Sequence, residues 1–137
     1  MAEPAWKSLV EQLWDQGRRS PYLERLRRRY DVRLPSVTIE REILEEMASA
    51  LGRAEDRVNV ALLELELLAE ACDRRADAAS IEAFNAKREE ALRVRRDLLI
   101  HRDALRFPRD PRFESTYPIP PPRVAPTPGS STGHGGA

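Results

Sequence analysis

From Thr38 to Cys72, apolar or small residues recur at Ile43, Met47, Leu51, Ala54, Val58, Leu62, Leu65, Ala69 and Cys72. Steps of three and four residues follow the turn of an α-helix, whereas a strand would alternate every second residue. A second stripe begins after Ala76, with Ile81, Phe84, Ala91, Leu98 and Leu105 on one line and Leu92 and Leu99 beside it. Two amphipathic helices joined by a few residues bury their stripes by folding back on each other. The pattern therefore predicts an antiparallel hairpin of long helices, coiled-coil-like, over residues 36–112.

Two shorter patterns precede it. Trp6, Leu9, Val10, Leu13 and Trp14 share one face of a helix over residues 5–16, and Gly17 is a natural stop. Ser20-Pro21 supplies an N-cap followed by proline at the first helical position. The second short helix, carrying Leu23, Leu26 and Tyr30, runs from there to about Tyr30. Asp31 to Pro35 reads as a linker, because the residue before a proline is pushed out of the helical region. Thr38 can cap the first long helix, and Pro108 and Pro111 end the second, which spans about residues 77–107. From Phe113 periodicity is lost and Pro, Gly and Ser dominate, which predicts a disordered tail over 113–137. Within it, Phe113, Tyr117 and Ile119 are placed to pin the start of the tail to the bundle. The expected fold class is all-α: short helices and linker over 1–35, the hairpin over 36–112, then the tail.

Composition narrows the function. The 137 residues hold 23 basic and 23 acidic side chains, so there is no whole-chain bias toward nucleic acid or membrane. The charge is uneven: residues 1–35 carry 8 basic and 5 acidic groups, and residues 36–75 carry 5 and 10. The one cysteine, Cys72, excludes an intramolecular disulfide and Cys-cluster metal sites, and its place on the apolar stripe suggests packing. No apolar run reaches the roughly 18 to 20 residues of a membrane span, and no signal peptide is recognisable. The expectation is a cytoplasmic protein with no cofactor.

Catalytic chemistry finds little footing. His101 with Asp97 one turn before it is the best pair, but no nucleophile or second acid accompanies it. Arg88, Arg95 and Arg102 form a ladder at seven-residue spacing, expected to pair with the acidic first long helix. Pro118 to Arg123 contains Pro-x-x-Pro-x-Arg, similar to ligands of SH3-type grooves, in which prolines pre-form the extended helix.

Two surfaces remain as binding candidates. Trp6, Leu13 and Trp14 form an apolar anchor on the first helix, of the kind favoured at protein interfaces, although closing the hairpin's open end is the commoner use. Arg18, Arg19, Arg25, Arg27, Arg28, Arg29 and Arg33 form a basic cluster suited to phosphates, or to docking on the acidic helix. Val37-Thr38-Ile39, then Glu42 to Met47, Leu51-Gly52 and Val58, resembles the strand, helix, glycine turn and second helix of ribbon-helix-helix DNA-binding proteins. That resemblance implies dimerisation through the strand, with Thr38 or Arg33 reading bases. The unbroken periodicity across Gly52 argues for one continuous helix instead, with a break or kink at Gly52 as the alternative. The favoured expectation is thus a non-enzymatic protein-interaction module, a small adaptor, chaperone or assembly factor whose partner is another protein. So long a hairpin in so small a chain also leaves surface for homo-oligomer formation. The alternative is a DNA-binding regulator using residues 18–33.

Overall fold

The computed structural model describes residues 4–31 and 39–124, apart from the side chains of residues 30, 31, 39–42 and 44. Its helices are α1 (Trp6–Asp15), α2 (Pro21–Asp31), α3 (Ile39–Arg75), α4 (Ala78–Ala104) and the single-turn α5 (Phe113–Thr116). No strand occurs among the described residues. The fold is the all-α hairpin expected, with α3 and α4 antiparallel: the Cys72 Sγ lies 3.2 Å from the Ser80 carbonyl oxygen, and Lys87 Nζ is 3.1 Å from Glu64.

Local chemistry sets the helix ends. Ser20 caps α2 by accepting from the Leu23 N–H at 3.2 Å, and Asp77 caps α4 by accepting from the Ser80 N–H at 2.8 Å. Gly17 takes φ +86°, which glycine adopts without steric cost, and closes α1 with paired bonds from Gly17 N–H to Trp14 and Arg18 N–H to Leu13. The same closure, with Arg106 at φ +61°, ends α4 at Ala104, before the proline that the sequence suggested as its stop. Satisfied carbonyls end this helix first.

The core has two parts because α3 is apolar on two faces. Toward α4 it buries Ala54, Val58, Ala61, Leu62, Leu65 and Cys72 against Ile81, Phe84, Ala91 and Leu98. On its other side Leu63 meets Val10 and Leu13 of α1 and Leu23 and Leu26 of α2. Burying a leucine of this kind stabilises by about 2 kcal/mol. The short helices therefore dock on the back of the hairpin, α1 parallel to α3 and α2 running back along it. Arg18 reaches Glu70, Arg25 reaches Asn59 and Arg29 reaches Asp56.

Helix α3 is continuous through Gly52. The helix–turn–helix implied by the ribbon-helix-helix resemblance is therefore replaced by one helix, and Arg33 and Thr38 lie outside the described residues. Gly52 has a packing role instead. The Arg29 guanidinium lies so close that a Cβ at residue 52 would collide with it.

The predicted disordered tail needs a correction over its first half. Phe113 and Tyr117 are buried in the hairpin core, their rings 5.2 Å apart, and Ile119 packs beside them. Residues 113–124, the α5 turn followed by chain without helix or strand, form a strap that returns along α4 toward the turn, and residues 125–137 lie outside the described set. Sequence periodicity fails here because the strap has no repeating face. Its anchors are isolated side chains and its backbone is held by other elements.

Candidate functional site

The arginine ladder holds the strap. Arg95 donates to the Tyr117 carbonyl at 2.9 Å, Arg88 to the Pro120 carbonyl at 2.8 Å, and the Arg102 guanidinium lies 5.5 Å from the Phe113 ring centroid. The seven-residue spacing keeps these guanidiniums on one face of α4, alongside the strap. Carbonyls of the strap, rather than carboxylates of α3, are thus the partners of Arg88 and Arg95. Farther along, Asn85 makes a two-way amide pair with the backbone of Arg123, at 2.8 and 2.9 Å. The Arg123 side chain donates to Asp73 at 2.8 Å and its guanidinium lies 5.0 Å from the Phe84 ring centroid. The arginine of the Pro-x-x-Pro-x-Arg motif is thus engaged within its own chain.

The N-terminal anchor divides. Leu13 is buried among Val10, Leu23, Leu26 and Leu63. Trp14 is half-buried between two guanidiniums, Arg19 at 3.5 Å and Arg27 at 4.2 Å from its ring centroid. Leu13 and Trp14 thus cement α1 to α2. Trp6, also half-buried, borders a groove of about 650 Å³ floored by Val60, Ala61 and Val94 and rimmed by Arg53, Arg57 and Arg93.

Most of the basic cluster is spoken for. Arg18 grips Glu70 with two bonds of 2.6 and 2.9 Å and reaches Glu66 at 3.4 Å. That grip holds the Glu70 carboxyl below its ordinary value, while burial outweighs the weaker contact and raises Glu66. Arg25 donates to Asn59 and to the Thr116 carbonyl, tying α2 to both α3 and the strap. Arg29 bonds Asp56 at 2.9 Å, yet burial still pushes the Asp56 carboxyl upward. Arg19 also donates to the Trp14 and Arg18 carbonyls. Arg27 and Arg28 remain exposed on α2. The docking of this cluster on the acidic helix is the pairing that the charge split suggested.

The His101 ring contacts the Asp97 backbone carbonyl at 2.9 Å rather than its carboxylate. Among the described residues there is no group of three His, Cys, Asp or Glu side chains that could hold a metal ion. No helix among them is long and apolar enough to cross a membrane.

One surface escaped the sequence reading. By the register of the Cys72–Ser80 and Glu64–Lys87 pairs α4 ends about level with Met47, so the α3 turn carrying Ile43 lies beyond it and Met47 stands at its edge. Ile43 is 57% exposed and Met47 42%. Near the same end, α4 exposes Leu99 and Ile100, and Phe107 follows them. Apart from Val124, these are the exposed large apolar residues among those described. The signal was present as the first two positions of the α3 stripe. Only the difference in helix length, 37 residues against 27, reveals them as uncovered. No family profile, no curated protein and no solved structure matches this chain.

Proposed function

We propose that this chain is a non-enzymatic protein-binding module, a strap-locked helical hairpin that presents its open end to a partner, as an adaptor, chaperone or assembly factor does. The observation that carries this reading is the concentration of exposed apolar side chains, Ile43, Met47, Leu99, Ile100 and Phe107, at that end. Apolar surface gathered at one end marks an interaction site, whereas scattered single residues do not. The rest of the molecule supports rigid presentation: α1 and α2 brace one side of α3, and the strap braces the hairpin. A nucleic-acid reading draws less support, because Arg18, Arg25 and Arg29 already hold groups of α3.

The test is capture of protein partners from the native cells with a C-terminally tagged chain, with and without nuclease, alongside an Ile43→Glu/Met47→Glu variant. A partner that resists nuclease and moderate salt, and is lost with the variant, is the expected result. Recovery of nucleic acid, with every captured protein released by nuclease, would overturn the reading and favour the arginine cluster. Phosphate contacts weaken steeply with salt, whereas an apolar contact changes little.

A further inference from the structure

The uncovered end of α3 and the groove beside Trp6 complement each other. The first turns of α3 are acidic in sequence, with Glu40, Glu42, Glu45 and Glu46 against Arg41, and they expose Glu46 together with Ile43 and Met47, whereas Glu45 turns away and buries its Oε1. The groove has the opposite charge around a similar apolar centre. Arg53, Arg57 and Arg93 rim a floor that includes Val60 and Val94, with Trp6 at one side. Its two carboxylates are already engaged, Asp56 by Arg29 and Glu90 by Lys87. An acidic helix with apolar anchors therefore fits this groove, and such a helix lies on the same chain. It cannot fold into its own groove, since both belong to one continuous helix.

We propose that two copies of this chain pair through α3, antiparallel about a two-fold axis near Gly52, each seating its Ile43–Met47 turns in the groove of the other. The proposal rests on reading the open end as a protein-binding surface and names a second copy as its partner. The helix geometry permits this. Ile43, Met47, Ala50 and Arg57 fall within about 80° of one another around α3 at 3.6 residues per turn. With the axis beside Gly52, Ile43 comes level with Val60 of the second copy and Glu46 with its Arg57. Ala50 lies near the crossing, where a small side chain lets two helices approach to about 8–10 Å. Glu46 is free to make the exchange, because its bond to Arg53 within the chain is long, 3.4 Å, and both side chains are mostly exposed. A two-fold contact makes each such pair twice, as a self-complementary patch requires.

Sedimentation velocity and light scattering across low to high micromolar concentrations test the pairing. The wild type is expected at twice the mass of one chain. Met47→Glu shifts it to monomer with an unchanged helical circular dichroism spectrum. Glu46→Arg and Arg57→Glu each weaken the dimer about tenfold, and the double reversal restores most of the loss, because each single change sets like charges face to face. A monomeric wild type overturns the proposal, as does a dimer indifferent to Met47→Glu or a double reversal no better than the single ones. A monomer that still captures another protein through Ile43 and Met47 overturns self-pairing alone and leaves the module reading in place.

Discussion

Gly52→Ala reverses an ordinary rule. In a helix interior alanine is favoured over glycine by about 1 kcal/mol, so the substitution normally stabilises. Here a Cβ would collide with the Arg29 guanidinium, which must swing away from Asp56. The arginine can move, so the cost is the lost ion pair rather than a strained backbone. A bond to a buried carboxylate is worth about 1.5 to 3 kcal/mol, and leaving its acceptor unpaired costs a similar amount. Arg29 is 40% exposed, which places the estimate at or below the low end, about 1 to 1.5 kcal/mol. Gly52→Ala should therefore be neutral or slightly destabilising in the wild type. In an Arg29→Met background the collision is gone, and the gain of about 1 kcal/mol should return. Urea unfolding followed at 222 nm for the four proteins of this cycle gives the coupling directly. A gain of equal size in both backgrounds would refute the role assigned to Gly52. Arg29→Met also carries a pH signature. Burial raises the Asp56 carboxyl and Arg29 opposes that rise, so its loss lifts the value further. A carboxyl raised in the folded state binds its proton more tightly than in the unfolded chain. The deficit of Arg29→Met should thus shrink as pH falls through the raised Asp56 range and be largest above it.

Three further outcomes follow from the packing. Tyr117→Ala should cost about 3 kcal/mol in denaturant unfolding, as removal of a buried aromatic does, and should speed hydrogen exchange in the α4 turns beneath the strap. Glu70 is held below its ordinary value by Arg18, so its contribution is complete above the unfolded-state value and lost as pH falls through the folded one. Glu70→Gln should therefore lower the thermal midpoint at neutral pH, with the difference from wild type vanishing in acid. Buried Cys72, in contact with the Ser80 carbonyl, should resist a thiol reagent in the native protein and react fully in urea.

The hairpin was legible because its signal is repeated. Each of Ala54, Val58, Leu62, Leu65, Phe84, Ala91 and Leu98 independently reports the same helical face, and each is buried. The Ser20 cap was equally readable, since a cap acts on N–H groups two or three residues away, while Asp77 was legible only as the start of its helix. Of the strap only the apolar pins, Phe113, Tyr117 and Ile119, were legible, and its held backbone was hidden for the converse reason. Prolines in sequence look the same whether their chain is solvated or held, and what holds this one is Asn85, Arg88 and Arg95. The ladder itself was visible, but a guanidinium serves a carboxylate or a carbonyl equally well, and sequence spacing does not say which lies opposite. The same limit applied to the arginine cluster, where charge separation between α2 and α3 did indicate docking. The open end of α3 required knowledge of where α4 stops, and that stop is set by the closure at Arg106, a residue without glycine's preference for a positive φ.

The strap also bears on time. Its bonds close long loops: Arg25 precedes Thr116 by 91 residues, and even Arg95 precedes Tyr117 by 22. Contacts of such separation form late, after the local contacts of the helices and the hairpin turn have gathered their donors. An element absent from the rate-limiting assembly has little influence on how fast the chain folds and a large one on how long it stays folded. The strap is thus a latch on the native lifetime. Loosening it at Asn85 or Tyr117 shortens the interval between openings, while the hairpin beneath re-forms as quickly as before.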